Sequence, residues 1–110
     1  MVKSSAHRGL IDLRLAQALR ARRPILIAHR GGIVGPNAPE NSANAIRRAY
    51  ARRYDMVELD VVAARDDDPV LFHDGSLNLR RLCGVDRSLR DLSAAELGQI
   101  LYRASDQCIL

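Results

Sequence analysis

The chain has 110 residues, of which 47% are hydrophobic and 27% are charged, and its formal net charge is +4. This length allows one domain at most, and the composition is typical of a globular protein. No apolar run approaches the roughly 20 residues of a membrane-spanning helix, and charged residues interrupt the N-terminal segment where a signal peptide needs an apolar core. We therefore expect a cytoplasmic protein without a transmembrane segment.

Most of the positive charge comes from arginines, many of them in pairs spread along the chain: Arg22-Arg23, Arg47-Arg48, Arg52-Arg53 and Arg80-Arg81. Such dispersed charges usually face water. Because only 4% of the residues are aromatic, surfaces for stacking single-stranded bases are scarce. We expect no nucleic-acid partner, although the positive balance favours the approach of small anions.

Leucines and alanines at helical spacing predict an amphipathic helix over residues 10–22, which ends before Pro24. Residues 1–23 are thus predicted to be a helical extension that precedes a domain over residues 24–110. This domain begins with a short, branched apolar run, Ile25 to Ala28, which is typical of a buried strand. A loop rich in Gly, Pro and Asn follows, and Asn41 or Ser42 is expected to cap the next helix.

That helix is predicted over residues 43–53, and a second strand over residues 55–63. An acidic turn then leads into a third, hairpin-like strand that ends at His73, while residues 75–90 look irregular. The S-x-x-E pattern of a capping box predicts a final helix over residues 93–104. Since strand–helix–strand order implies a parallel sheet with right-handed crossovers, we predict an α/β fold.

Two carboxylates stand out in the second predicted strand. Glu58 and Asp60 are two residues apart, so both would project from the same face of that strand. Inside a sheet, such a pair needs a cation or a proton, and a hard ion such as Mg²⁺ or Ca²⁺ prefers their oxygen ligands. A solvent-facing antiparallel strand with polar alternation explains the same pattern equally well.

Two histidines strengthen the case for a site. His29 and His73 each end an apolar strand, where the active sites of parallel α/β barrels are found. Imidazoles suit acid–base chemistry near neutral pH, and Arg30 next to His29 offers a bidentate grip on phosphate. One such histidine alone would be interpreted as structural, but together with the arginine and the carboxylates they indicate a catalytic site.

An ordered set of short motifs resembles the glycerophosphodiester phosphodiesterase family: HRGG (29–32), PENS (39–42), ELD (58–60), DDxPV (66–70) leading to HD (73–74), and DLSAAEL (91–97). The resemblance covers residues 24–98. It implies a TIM (β/α)₈ barrel with parallel strands and crossover helices, and a divalent cation at the barrel mouth. The implied activity is hydrolysis of glycerophosphodiesters to glycerol 3-phosphate and an alcohol, in glycerol and lipid metabolism.

Carried over by position, the resemblance makes His29 and His73 an acid–base pair and Arg30 a phosphate clamp. It makes Glu58 and Asp60 ligands of the cation. The nucleophile is water or a substrate hydroxyl, and which histidine is the acid stays open.

Two acidic residues have less definite roles. Glu40 either offsets the dipole of the following helix or touches the site, and Asp74 is expected to fix the local turn. The resemblance also places a glycine at position 53, so Arg53 is expected to be left-handed.

Length sets a limit on this interpretation. A complete barrel needs about 200–250 residues, so we expect the chain to hold only the first two or three barrel strands. A further acidic ligand from a later strand would be missing, and the chain alone would bind a cation weakly and be weakly active or inactive. Two alternatives are a related phospholipase-type barrel phosphodiesterase that acts on lysophospholipids, and a non-catalytic remnant.

Overall fold

The computed structural model describes residues 15–32, 35–73 and 77–110. Residues 15–20 are helical and residues 21–22 form a turn, so the predicted N-terminal helix ends two residues early. Residues 10–14 of that predicted helix lie outside the described residues. The elements that follow are strands β1 (Ile27–His29), β2 (Met56–Glu58), β3 (Val61–Ala63) and β4 (Pro69–Leu71), helices α1 (Ala43–Ala51), α2 (Asn78–Cys83) and α3 (Ala94–Leu97), and a 3₁₀ turn (Leu89–Asp91). Within the described ranges, no helix is long and apolar enough to cross a bilayer.

The first strand–helix–strand unit forms in the predicted order, but the prediction of a buried first strand is wrong, because Ile27 in β1 is 52% exposed. β1 and β2 pair in parallel, with His29 opposite Glu58, and α1 connects them. Ser42 caps α1, because its side chain accepts a hydrogen bond from the backbone N–H of Ala45. The helix packs so closely that a Cβ on Gly31, whose φ is +87°, would lie 2.8 Å from the Cβ of Ala45, which explains why glycine stands there.

The second predicted strand is wrong in one respect. Residues 55–63 do not form one strand: β2 ends at Glu58, and β3 begins at Val61 and pairs with β4 in an antiparallel hairpin. Asp60 lies between them, and its backbone carbonyl accepts from the N–H of Phe72 at 3.1 Å. This bond links Asp60 to the residue that follows β4. The third predicted strand corresponds to β4, which pairs with β3 and not with β2. The described fold is mixed α/β with one parallel and one antiparallel pair.

The last third of the chain also departs from prediction. Residues 78–83 are helical where irregular structure was expected, and the final helix stops at Leu97 instead of continuing to residue 104. Ser93 does cap that helix, through the N–H of Glu96 at 3.1 Å. Beyond it, Leu101 forms an antiparallel bridge with Cys108.

Packing is concentrated after β3. The buried cluster consists of Ala64, Val70, Phe72, Leu79, Leu89, Leu92, Leu97, Tyr102 and Ile109. The rings of Phe72 and Tyr102 lie 6.1 Å apart at its centre.

Arg53 is left-handed, with φ at 62°, as predicted. Tyr50 on α1 is 48% exposed.

Candidate functional site

The carboxyl ends of β1 and β2 bring a histidine and a glutamate together. Because the two strands run in parallel register, His29 and Glu58 end side by side, and His29 Nε2 lies 3.6 Å from Glu58 Oε2. Both side chains are open to solvent, at 71% and 44% exposure. Immediately after β1, the left-handed Arg30 turns its backbone N–H onto the same Glu58 oxygen, at 3.1 Å.

The Arg30 guanidinium lies between two further carboxylates. Its Nη1 donates to Glu40 Oε2 at 2.8 Å. Its Nε lies 3.2 Å from Asp60 Oδ2, although this N–H is not aligned for a hydrogen bond. All three side chains are between 20% and 24% exposed. Partial burial strengthens these ion pairs relative to surface pairs, so Arg30 is held in one orientation. Glu40, whose role the sequence left open, therefore belongs to this cluster.

Asn41 is a site residue that the sequence analysis considered only as a helix cap. Its side chain is fully buried, its Nδ2 donates to Asp60 Oδ2 at 3.1 Å, and its Oδ1 accepts from the Asp60 backbone N–H at 3.0 Å. Its own N–H donates to the Arg30 carbonyl at 2.8 Å. Asparagine suits this position because its amide both donates and accepts, and because it tolerates the left-handed backbone, here with φ at 60°.

Glu58 and Asp60 do not lie on one strand, which corrects the single strand predicted over residues 55–63. Glu58 is the last residue of β2, and Asp60 follows two residues later in the break before β3. Both nevertheless contact Arg30, Glu58 through the arginine N–H and Asp60 through Nε. The two carboxylates are therefore close to one residue although only Glu58 belongs to a strand.

His73 lies just beyond β4. Among the described residues, its side chain makes a hydrogen bond only with Asn78, whose Nδ2 lies 2.8 Å from His73 Nδ1. No described hydrogen bond or ion pair joins it to His29 or Arg30. Its neighbour Phe72 bonds to the Asp60 backbone, which brings the end of the hairpin beside the cluster. Asp74 lies outside the described residues.

The charge of the cluster suits a cation. Glu40 and Asp60 flank the Arg30 guanidinium, and Glu58 accepts from the Arg30 backbone N–H, so three carboxylates meet one guanidinium charge here. Carboxylate oxygens are the ligands that Mg²⁺ and Ca²⁺ prefer. However, in residues 15–32, 35–73 and 77–110, no group of three or more acidic, histidine or cysteine side chains is arranged to hold a metal ion. The described side chains therefore do not form a complete set of metal ligands.

Comparison with known proteins points to one family. A sequence model described as the glycerophosphoryl diester phosphodiesterase family matches residues 29–106. A human protein (Homo sapiens) named Glycerophosphodiester phosphodiesterase 1 is 44% identical over 88 residues, which are 79% of this chain and 25% of that protein. A mouse protein (Mus musculus) named Lysophospholipase D GDPD3 is 36% identical over 72 residues, which are 66% of this chain and 21% of that protein. The chain spans about a quarter or less of the length of these curated relatives.

Proposed function

The chain belongs to the glycerophosphoryl diester phosphodiesterase family, and on that basis we propose that it is part of a hydrolase that cleaves glycerophosphodiesters to glycerol 3-phosphate and an alcohol. One observation carries the proposal: a guanidinium, an open imidazole and three carboxylates meet where two parallel strands end. In this proposal residues 24–110 hold only the first two or three strands of a (β/α)₈ barrel, which begins with β1, α1 and β2, and residues 1–23 are an extension that precedes it.

Glu58 and Asp60 would hold a divalent cation, Mg²⁺ or Ca²⁺. One side of each carboxylate is already fixed, Glu58 by the Arg30 N–H and Asp60 by Asn41 Nδ2. Their remaining lone pairs are therefore directed without the entropic cost of ordering two free side chains. A cation bound there would polarise a phosphoryl oxygen of the substrate.

Arg30 binds the phosphate of the substrate in this proposal. Glu40 and Asp60 hold its guanidinium in place before any ligand arrives. A preoriented donor stabilises the charge that develops on phosphoryl oxygens without reorganising during the reaction. Glu40 is thus a positioning residue for Arg30.

His29 and His73 supply the acid–base groups. His29 is exposed, with its Nε2 3.6 Å from Glu58 Oε2, and would take a proton from water or a substrate hydroxyl. The His29 side chain is 71% exposed, so a small molecule can reach it. The leaving alkoxide is protonated by an imidazole as its bond to phosphorus breaks.

A second candidate substrate is a lysophospholipid. The observation that favours it is the 36% identity with the mouse protein named Lysophospholipase D GDPD3. The two candidates share the phosphodiester and differ in the presence of an acyl chain, so one assay can compare them.

A chimera tests the proposal. Residues 29–106 of this chain would replace the matching segment of the human relative, and hydrolysis of glycerophosphocholine and lysophosphatidylcholine would be measured with Mg²⁺ or Ca²⁺. We expect glycerophosphocholine to be cleaved and His29→Ala to lower the rate about 10²–10⁴-fold. Arg90→Ala, at an exposed position on the 3₁₀ turn, is the control and should leave the rate unchanged.

Two results would count against the proposal: a folded chimera that cleaves neither substrate, or a His29→Ala chimera that keeps a near-normal rate. Faster cleavage of lysophosphatidylcholine than of glycerophosphocholine would favour the second candidate.

A further inference from the structure

Residues 100–110 form a hairpin, which we call the tail hairpin. Leu101 and Cys108 form its antiparallel bridge, and the side chains of Tyr102 and Ile109 are each 2% exposed. Both of these side chains belong to the buried cluster that follows β3. Apolar packing therefore anchors the tail hairpin and fixes the position of its turn.

The turn of the tail hairpin places Gln107 against the first turn of α1. Gln107 Oε1 accepts a hydrogen bond from the backbone N–H of Asn44 at 3.1 Å. Its Nε2 donates to Asp106 Oδ1 at 3.0 Å, so the amide oxygen faces the helix. The N–H groups in the first turn of a helix have no acceptor within the helix, and Ser42 satisfies that of Ala45. Gln107 therefore adds a second cap to α1, from a position 63 residues further along the chain than its partner.

The start of α1 is also where the partners of Arg30 are held. Glu40 and Asn41 directly precede the Ser42 cap. Glu40 accepts from Arg30 Nη1, and the N–H of Asn41 donates to the Arg30 carbonyl, both at 2.8 Å. Because helix ends fray unless their N–H groups are capped, a loosened first turn would displace both residues. Whatever holds the first turn of α1 therefore also holds the contacts that orient Arg30.

A second residue of the tail hairpin lies within electrostatic range of Glu40. The side chain of Tyr102 is buried, and its hydroxyl makes no hydrogen bond with the described part of the chain. Burial raises the pKa of the Tyr102 hydroxyl, and the acidic groups of Cys83 and Glu40 raise it further. The phenol therefore keeps its proton and adds no charge beside Glu40. The tail hairpin thus approaches the surroundings of Arg30 with two residues, Gln107 at the helix and Tyr102 near the carboxylate.

We propose that Gln107 is a positioning residue that holds the start of α1 and, through Glu40, the guanidinium of Arg30. This inference rests on the proposed function, in which Arg30 binds the phosphate of the substrate. A guanidinium that is held in place beforehand loses less conformational entropy on binding than a free one, so Gln107 contributes to phosphate binding without touching the substrate. Because Gln107 lies beyond residues 29–106, which match the family model, its contact adds to what the family shows.

Two N–H signals in ¹H–¹⁵N NMR spectra of the 110-residue chain test this without substrate. The Asn44 backbone N–H reports the bond to Gln107, and the Arg30 Nε–H, whose nitrogen is buried, reports the guanidinium; Arg30→Lys assigns the second signal. Gln107→Leu removes the acceptor and nearly keeps the size of the side chain. We expect hydrogen exchange at the Asn44 N–H to become about fivefold faster, as for loss of a helix cap. The Arg30 Nε–H should also exchange faster and shift toward its position in urea.

Two further variants separate positioning from a general loss of stability. Gln107→Glu keeps an acceptor at the same place, and negative charge at the start of a helix is favourable, so both signals should remain as in the wild-type chain. Ser93→Ala is the matched control, because it removes the side-chain cap of another helix, α3, which accepts from the N–H of Glu96 at 3.1 Å. It should leave both signals unchanged. If Gln107→Leu does not fold, as judged by circular dichroism, Gln107→Ala takes its place.

An Arg30 Nε–H signal that is unchanged in the folded Gln107→Leu variant would overturn the inference. So would an equal change in Ser93→Ala, or the same change in Gln107→Glu, because the acceptor at residue 107 would then not be the cause. None of these results depends on whether the chimera hydrolyses a phosphodiester, so failure of the inference and failure of the proposed function are separate observations.

Discussion

The two halves of the described chain are built differently. In residues 25–60, which we call the site half, the buried apolar side chains are the alanines Ala28, Ala38, Ala45 and Ala49. In residues 61–110, the core half, the buried cluster contains phenylalanine, tyrosine, leucine, valine and isoleucine side chains. Large apolar side chains at or beside the strands of the site half are exposed, with Leu26 at 53%, Ile27 at 52% and Met56 at 42%. The core half also exposes some, such as Leu77 at 66%, but it buries a cluster of large side chains as well.

Polar bonds take the place of packing in the site half. Asp55, whose side chain is 2% exposed, accepts two bonds from Arg23 at 2.6 and 2.7 Å and one from the Leu26 N–H. Net stabilisation by such bonds is modest, about 1.5–3 kcal/mol where a charged group takes part, whereas a buried aromatic side chain contributes more. Stability and chemistry are therefore carried by different parts of the chain, and mutations should separate them.

Phe72 tests the core half with the largest expected effect. It is 1% exposed, so Phe72→Ala should lower the free energy of unfolding by about 3–5 kcal/mol, measured by urea denaturation of the chain. Leu26→Ala in the site half should change it by no more than about 0.5 kcal/mol. Equal losses in the two variants would mean that the halves do not differ in packing.

Cys83 reports how well the core half excludes water. Burial raises the pKa of its thiol from 9.0 to about 11, against an opposing effect of Arg103. At pH 8 its thiolate fraction, and so its rate of alkylation, should be about 100-fold lower in the folded chain than in urea. Because the folded pKa is raised, the thiol stabilises the fold below pH 9, and this contribution is lost as the pH rises towards 11. Mass spectrometry would measure the alkylation rates. Similar rates in the folded chain and in urea would show that solvent reaches the thiol in the folded chain.

Asn41 tests the polar bonds of the site half. Asn41→Ala removes both bonds to Asp60 and places alanine at a positive φ, so we expect a loss of about 1–3 kcal/mol. Asn41→Gly keeps the backbone conformation and isolates the contribution of the bonds. Asn37→Ala, at an exposed position of the same loop, is the control. If Asn41→Ala lowers the free energy of unfolding no more than Asn37→Ala does, the bonds of Asn41 do not stabilise the site half.

Arg65 should have the smallest effect. Its ion pair with Glu96 joins side chains that are 54% and 45% exposed. Exposed pairs contribute about 0.2–1 kcal/mol, so Arg65→Ala should cost no more than about 1 kcal/mol, and less in high salt. A larger loss that does not depend on salt would show that Arg65 stabilises the core half through the hydrogen bond from its Nη1 to the backbone carbonyl of Asp91.

Local signals were sufficient to predict the order of the elements in the site half. The apolar run before His29, the glycines after it and the Ser42 cap predict β1, α1 and β2 in order. The motifs also identify Arg30, Glu40, Glu58 and Asp60, which the structure brings together. Each of these signals lies within a few residues of the element or contact that it predicts.

What the sequence analysis missed depends on contacts between distant residues. The alternation of residues 57–63 continues through the change from β2 to β3, so it cannot show where the strand changes partner. That break is set by bonds from Asn41 and Phe72 to Asp60. Helix α2 is six residues long and begins after Leu77 without a side-chain cap, so it leaves no local sign, and the contact of Asn78 with His73 could not be foreseen.

Calorimetric titration of Ca²⁺ into the 110-residue chain tests most directly whether the strand ends of the site half form a cation site. The account predicts weak binding, with a dissociation constant of roughly 10⁻⁴–10⁻³ M. Glu58→Gln and Asp60→Asn should abolish it, whereas Asp86→Asn, at an exposed position of the core half, should leave it unchanged. The absence of binding to the wild-type chain, or equal binding by the Glu58→Gln variant, would contradict it.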